Sequence, residues 1–566
     1  MALQSATMST EPVRGGPIEA LPTHQVQNVP VALDDYDLFG TDPGLKAALL
    51  REAGEWALQP CAELSAAIGK PEVFAMGAAA NRHEPELRTF DRYGRRIDEV
   101  EFHPAYHELM RLAIEHRVPS MGWTEKRPGA HVCHAALGYL FTQVEAGVLC
   151  PMAMTYAVVP ALRVQPEISA AWEPKLLSRR YDGRCIPLAD KHGATMGMAM
   201  TEKQGGSDVR ANTTRARPTG KAGPGESYLL VGHKWFCSAP MSDGFLTLAQ
   251  TDRGLSCFLV PRFRPDGTRN NFFIQRLKDK LGNRSNASSE IEYVDTWAQL
   301  VGEEGRGVAT IIEMVHHTRI GAAIAPVGMM RQAVVQAVHH CSQRSAFGRP
   351  LIEQPLMTRV LADLVIEVEA ATVLGMRIAR AFDEADASAD ARAFARLATA
   401  VMKYWVNKRA PGHIVEALEC HGGAGYIEEN PLARLYREAP LNGIWEGSGN
   451  VICLDVLRTL QREPQALQLV LAELTTAAAA RPELAAHVRK IEATLGSENL
   501  EVQARSLVQD LAVALQAALL VEHGEPAIAD AFCRTRLGGE PPAVYGKLPV
   551  DVNARAIVQR AQVRAG

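Results

Sequence analysis

The chain has 566 residues, too many for a single hydrophobic core, so two to four domains are expected. Hydrophobic residues make up 47% and charged residues 22%, the balance of an ordinary soluble globular protein; aromatics are sparse at 6% beside plentiful alanine and leucine, a bias toward helix. The net charge of −4 excludes a uniformly basic nucleic-acid binder but leaves room for a local basic patch.

In chain order, residues 1–35 are expected to form a flexible extension, or to order only against a partner subunit, because their first thirty positions are rich in Pro, Gly, Ser and Thr. They lack the apolar core of a signal peptide, and no apolar run reaches the ~18–20 residues that span a bilayer, so a cytoplasmic protein with no membrane partner is expected. Residues 36–193 read as a helical domain; "DPGLKAALLREAGEWALQPCAELSAAIG" has a Pro near its start and a Gly at its end. Near 195 the pattern changes to short runs rich in β-branched and aromatic residues, "YLLVGHKWFCS", "FLTLAQT", "LSCFLVPRF" and "SSEIEYVD", separated by turns such as "PDGT" and "TDRG". This predicts a β domain over 194–300. Apolar residues at helical spacing then predict a bundle over 301–461 and a further helical region over 462–566. The expected fold class is mainly α with a central β domain.

Cys61, Cys133, Cys150, Cys185, Cys237, Cys257, Cys341, Cys420, Cys453 and Cys533 are scattered with no CxxC pair, as expected of buried reduced thiols. "HVCH" at 131–134 lacks a nearby second ligand pair, so no metal is expected. There is no GxxxxGK[ST], no GxGxxG between a strand and a helix, and no GxSxG. P-loop, Rossmann and serine-hydrolase chemistry thereby lose their best support.

Three polar, glycine-rich stretches stand at the transitions between structural types. "MAMTEKQGGSDVRANTT" (198–214) offers the Thr201 and Ser207 hydroxyls and close backbone approach at Gly205 and Gly206, or is simply a polar loop. "HGGAGY" (421–426) has more glycine than a helix C-cap needs. "NGIWEGSGN" (442–450) sets Glu446 after Ile444 and Trp445 and just before a helix that Ser448 or Asn450 would cap. A carboxylate so flanked would be partly desolvated, with a raised pKa suited to removing a weakly acidic proton; a Glu stabilised by the helix dipole is the plainer alternative.

Taken together, these stretches resemble the acyl-CoA dehydrogenase family over about residues 40–460. "MTEKQGGSD" resembles its flavin-contacting loop, "GHKWFCS" its flavin-packing strand, and "KLGNRSNASSEIEY" the end of its β domain. "QRSAFGRPL" (343–351) resembles the Arg–x–x–Phe–Gly motif that reaches a neighbouring subunit's cofactor, "ECHGGAGY" the GGxGY segment, and "IWEGSGN" the catalytic loop. The resemblance implies a helical N-terminal domain, a β-barrel-like middle domain and a helical bundle, with FAD as cofactor, acyl-CoA as ligand and a homotetrameric assembly. It implies Glu446 as the base that removes a proton α to a thioester carbonyl. It places Met200, Thr201, Ser207, Trp235, Phe236, Cys237, Ser238, Ile444, Trp445, Gly447, Ser448 and Asn450 near the flavin. Arg344, Phe347, Gly422 and Gly423 would hold the adenine-dinucleotide half.

Lys203 stands where proline is usual in the family. With this departure and about a hundred further C-terminal residues, the chain resembles the branch of the family formed by flavoproteins of the bacterial adaptive response to DNA alkylation. That branch implies weak dehydrogenase activity and double-stranded DNA binding through the C-terminal region. Charge there is polarised: residues 462–530 hold 5 basic and 10 acidic side chains, whereas 531–566 hold Arg534, Arg536, Lys547, Arg555, Arg560 and Arg564 against Glu540 and Asp551. Arg458 would join this basic set. The alternative is a functional dehydrogenase of a short or branched acyl-CoA without a DNA role.

Overall fold

A computed structural model describes residues 17–539 and 542–563. The N-terminal part is a stack of helices, four of them opened by proline at the first position, where the missing N–H costs nothing and φ is already helical (Pro43–Glu52, Pro71–Arg82, Pro104–Glu115, Pro166–Leu176). One element departs from the helical expectation. Glu86–Phe90 and Arg96–Glu101 pair as an antiparallel hairpin. Its turn is built by Asp91, whose carboxylate accepts the Tyr93 and Arg95 N–H groups, and by Gly94 at φ +80. The signal was a five-residue turn with Asp at its start and Gly at its fourth position, inside an alternating run.

The central domain is a seven-stranded sheet that closes on itself. Ser288–Val301, Ser227–Ser238, Arg215–Pro218, Gly244–Thr251 and Gly254–Pro261 follow one another, and Gly254–Pro261 pairs back to Ser288–Val301. Phe272–Leu277 and Met196–Ala199 flank the ring. Inward residues such as Tyr228, Phe258 and Ile291 fill the barrel.

The bundle follows as three long helices, Gly307–Gln343, Pro355–Glu384 and Ala389–Glu419, which pack on one another. Pro464–Ala478, Pro482–Leu495, Ala504–His523 and Pro526–Arg536 add to them, and one apolar cluster runs through the N-terminal helices, the bundle and this C-terminal layer. Ala504–His523 is long and apolar enough to cross a membrane, contrary to the expectation that no run reaches that length; 78% of its most apolar stretch is buried among the neighbouring helices. Near the N-terminus, residues 28–33 are tied to the end of the Gly307–Gln343 helix: Asn28 exchanges two hydrogen bonds with Ser345, and Val31 N–H donates to Gln343. All ten cysteines are free thiols; nine are buried and Cys185 is partly exposed.

Candidate active site and cofactor cleft

Glu446 sits at a sharp turn between the short 3₁₀ helix Ala439–Gly443 and the helix Gly449–Arg462. Its φ is +57, a left-handed conformation that costs a non-glycine residue about 1–2 kcal/mol, and Gly447 follows at φ +106. Two cations, Lys403 buried and Arg319 half-buried, offset that cost by binding consecutive carbonyls. Arg319 Nε donates to the Glu446 carbonyl at 3.1 Å, and Lys403 Nζ to the Gly447 carbonyl at 2.7 Å. Arg319 is itself anchored on Asp455 at 2.6 Å. Neither cation was singled out by sequence motifs; a lysine inside the apolar run "ATAVMKYWV" was the available signal. Ser448 occupies the N-cap position, yet its hydroxyl makes no capping bond, and Asn450 is engaged by Arg505 Nε at 2.9 Å.

The Glu446 carboxylate lines an apolar cavity of 180 Å³ together with Trp445, Phe236, Ser238, Met154, Cys150 and Thr318. Burial raises its pKa, against the Thr318 hydroxyl and the Arg319 and Lys403 charges, which lower it. Its Oε2 is shielded from solvent and has no hydrogen-bond partner. The desolvation comes from this cavity wall and from Trp445, not from Ile444, which is 65% exposed and points outward. His134, Tyr156 and His317 line it as well. The histidines of the "HVCH" stretch are internally bonded, His131 to Tyr156 at 2.6 Å and His134 to the Val118 carbonyl at 2.7 Å.

The loop at 200–208 is pinned to the Ser227–Ser238 strand by a buried knot. Glu202 and Lys234, both fully buried, pair at 2.8 Å; Glu202 also accepts the Thr213 N–H at 2.7 Å and the Thr214 hydroxyl at 2.6 Å, and Lys234 reaches the Leu248 carbonyl at 2.8 Å. Burial alone would raise the Glu202 carboxyl, but the Lys234 ammonium and these donors hold it well below the usual range, while burial pushes Lys234 down to about 8. Trp235 N–H then donates to the Thr201 carbonyl at 2.8 Å, setting Thr201 beside the strand. Gly206 leaves room for the Thr201 side chain: a Cβ there would stand 2.5 Å from the Thr201 hydroxyl, which would have to turn away. Ser207 and Met200 stay on the same loop, exposed and half-buried respectively.

A β-bulge re-aims this strand. Cys237 pairs with Ser289 and Lys234 with Ile291, so Trp235 and Phe236 together oppose Glu290. Both rings therefore emerge on one side, with Lys278 Nζ 3.6 Å from the Trp235 ring centre and 4.5 Å from that of Phe236. Phe236 and Ser238 reach the Glu446 cavity. Cys237 does not: its side chain turns back into the barrel core, fully buried, which corrects the expectation that it lies beside a cofactor ring.

The remaining expected cofactor residues stand apart from the cavity. Arg344 is exposed and donates to the Asn28 carbonyl at 2.6 Å. Phe347 is fully exposed, at φ +53 in the turn between Ser345–Ala346 and Arg349–Pro350. A Cβ at Gly422 or Gly423 would meet nothing, whereas at Gly425 it would lie 2.4 Å from the Leu418 carbonyl. Of the expected DNA contacts, Arg536 and Arg560 are corrected. Arg536 is 2% exposed and bonds Asp363 at 2.6 Å and Glu367 at 2.9 Å; Arg560 grips Glu369 at 2.6 and 2.9 Å. Their charges are consumed inside the fold. Arg534 pairs with Asp551 and Asp530; Arg458, Lys547 and Arg555 are exposed; Arg564 lies outside the described residues.

An aromatic wall, two hydroxyls on the adjacent loop and strand, and buried polar atoms without partners define what this cleft would hold. The Asn286 amide, which neighbours Cys150, has no partner on either atom, and Asn283 Oδ1 has none. A flat heteroaromatic ring with polar edges fits this lining. Residues 28–183 match the adaptive response protein AidB N-terminal domain, 197–296 the acyl-CoA dehydrogenase middle domain and 305–461 the acyl-CoA dehydrogenase C-terminal domain. AidB of Escherichia coli (strain K12) is 44% identical over 91% of this chain and 94% of its own. The chain belongs to the acyl-CoA dehydrogenase family. Within it, the AidB N-terminal match places the chain beside AidB. Caenorhabditis elegans ACDH-11, solved in complex with C11-CoA, superposes with a TM-score of 0.82 at 27% identity over 93% of this chain and 94% of that one. A Bacillus anthracis acyl-CoA dehydrogenase solved with FAD shares the fold at a TM-score of 0.60 and 18% identity, each chain covered to 81%. The family's cofactor is FAD, and the chain is an FAD-dependent acyl-CoA dehydrogenase-like oxidoreductase.

Proposed function

We propose that the site dehydrogenates the α,β bond of a short or branched acyl-CoA, with Glu446 as the base. One observation carries this: the Glu446 carboxylate ends in an unpartnered, solvent-shielded oxygen on the wall of an apolar cavity that Phe236 and Ser238 also line. Phe236, Trp235, Thr201 and Ser238 would hold FAD, which supplies the acceptor for the β-hydride. The chain does the rest. The cavity excludes water from the acyl group, and Glu446 takes the α-proton onto its carboxylate and so becomes the neutral form that burial favours. Anaerobic mixing with isobutyryl-CoA should bleach the flavin's visible band in the native chain and not in Glu446→Gln; equal bleaching in both removes Glu446 from the role of base.

The match to an adaptive response protein supports a second, cellular reading: a cytosolic homotetramer that binds duplex DNA through its C-terminal face and limits alkylation damage, with the dehydrogenase site weakly used. The exposed Arg458, Lys547 and Arg555 are the phosphate contacts this reading needs. The exposed apolar Phe347, Leu356 and Tyr426 offer a surface for assembly, and a tetramer would present four copies of a weak DNA site. Duplex affinity falling steeply with salt, with a slope of about −0.9 per phosphate neutralised, supports it; affinity that ignores salt rejects it.

A further inference from the structure

Lys403 lies in the middle of the Ala389–Glu419 helix and is 1% exposed. Burying an ammonium is costly unless it is paired or put to use. Among the described residues its hydrogen bond runs to the Gly447 carbonyl at 2.7 Å, and the carboxylate whose charge it feels is Glu446. Burial pushes its pKa down to about 8, a cost that Glu446 partly offsets. The two cations at this turn are not equivalent. Arg319, on the Gly307–Gln343 helix, has its own carboxylate in Asp455 at 2.6 Å. Lys403 has none so close, so its charge is directed at Glu446.

We propose that Lys403 is a positioning residue for the base: fixed on the Gly447 carbonyl, its ammonium holds the Glu446–Gly447 turn in the left-handed form that sets the carboxylate on the cavity wall, and it supplies the counter-charge that keeps that carboxylate ready to accept a proton. This rests on the dehydrogenase reading above. Lys403 touches neither the acyl group nor the cofactor in this role; it acts through Glu446. The other charged or titratable groups around the turn are Arg319 with Asp455, Lys408 beside Lys403, Arg505 on the Ala504–His523 helix, which bonds Asn450, Cys150 on the Leu149–Arg163 helix, and His317, which lines the same cavity. None of them binds the Gly447 carbonyl, so none replaces Lys403 as the anchor of that turn.

The test uses the full-length, FAD-loaded chain with Lys403→Met, which keeps length and loses charge, and Lys403→Arg, which keeps charge. With isobutyryl-CoA as probe, Lys403→Met should reduce flavin about 10- to 100-fold more slowly, the range expected when a reacting group is displaced by about 1 Å, with little change in KM. The pH of half-maximal rate should move upward, because removing a neighbouring positive charge raises a carboxyl pKa. Lys403→Arg should recover part of the rate and of the pH midpoint. A readout that needs no turnover runs beside these: amide hydrogen exchange across 445–448 should accelerate in Lys403→Met while the rest of the bundle stays protected. A slower rate with unchanged pH midpoint and unchanged exchange at 445–448 would overturn the proposal, as would full activity in Lys403→Met. Should the native chain fail to reduce with the probe, the dehydrogenase reading is what fails, and exchange at 445–448 still decides whether Lys403 holds the turn. If Lys403→Met does not fold, Lys403→Arg decides: native exchange at 445–448 supports the anchor, and accelerated exchange throughout the bundle rejects it.

Discussion

Replacing Arg536 by alanine separates a structural charge from a DNA contact. Arg536 is buried on the inner side of the Pro526–Arg536 helix and donates to Asp363 at 2.6 Å and to Glu367 at 2.9 Å. Glu367 would keep its two bonds from Arg409, at 3.1 and 3.0 Å. Asp363 is fully buried and would keep the Gly546 N–H at 2.8 Å, losing its counter-charge. Removing one partner of a buried pair typically costs 3–5 kcal/mol, because the other charge stays behind. The Pro526–Arg536 helix, which this contact fastens to the Pro355–Glu384 helix, should then open more readily. At 1.36 kcal/mol per decade, 3 kcal/mol makes opening about 150-fold more frequent. Native-state hydrogen exchange reads this directly: amides of Pro526–Arg536 should exchange at least ~100-fold faster, with the barrel amides unchanged. Arg536→Met combined with Asp363→Leu should restore most of the protection, since apolar replacement of a whole buried pair is often neutral. Unchanged exchange in Arg536→Ala, together with weaker duplex binding, would show that the side chain serves DNA and that the buried pairing is not its role.

Further outcomes follow from the same geometry. Glu446→Gln should lower any acyl-CoA dehydrogenation by ~10²- to 10⁴-fold with FAD content unchanged, measured by flavin absorbance and single-turnover reduction. Because burial raises the Glu446 pKa, the native rate should climb with pH through a midpoint above the ordinary carboxylate value, as the proton-accepting form appears; a midpoint at or below that value contradicts the desolvated site. Glu202→Ala leaves Lys234 buried without its counter-charge, so the 200–208 loop should loosen and FAD should be lost on gel filtration, while Lys203→Ala, whose side chain is exposed, should retain it. Charge reversal of Arg458, Lys547 and Arg555 should weaken binding to unrelated duplexes alike and flatten the salt dependence; equal binding before and after removes this surface from the DNA reading.

What the sequence determined by itself was whatever is encoded locally. Helical spacing and strand-type runs set the order of helical domain, β domain and bundle, because period and propensity are properties of neighbouring residues; closure of the β domain into a barrel was implied by the family resemblance. The turn at 442–450 was legible for the same reason: a lone carboxylate ahead of a glycine-rich helix start is a short-range pattern. The hairpin at 86–101 is encoded locally too, in Asp91 and Gly94, inside a stretch whose dominant signal is helical. Tertiary structure alone decided the rest. Cys237 faces the core because a bulge set by pairing with Ser289 and Ile291, more than fifty residues away, shifts the strand's alternation. Ile444 points outward, and beyond the adjacent Trp445 the desolvation of Glu446 comes from helices far off in sequence. Arg536, Arg560 and Arg555 are identical letters in one basic segment. Asp363, Glu367 and Glu369, some 170 to 190 positions earlier, consume the first two charges and leave the third on the surface. A formal charge is fixed by residue type, but whether it is spent in the interior or offered to a partner depends on which carboxylates the fold brings within hydrogen-bonding distance.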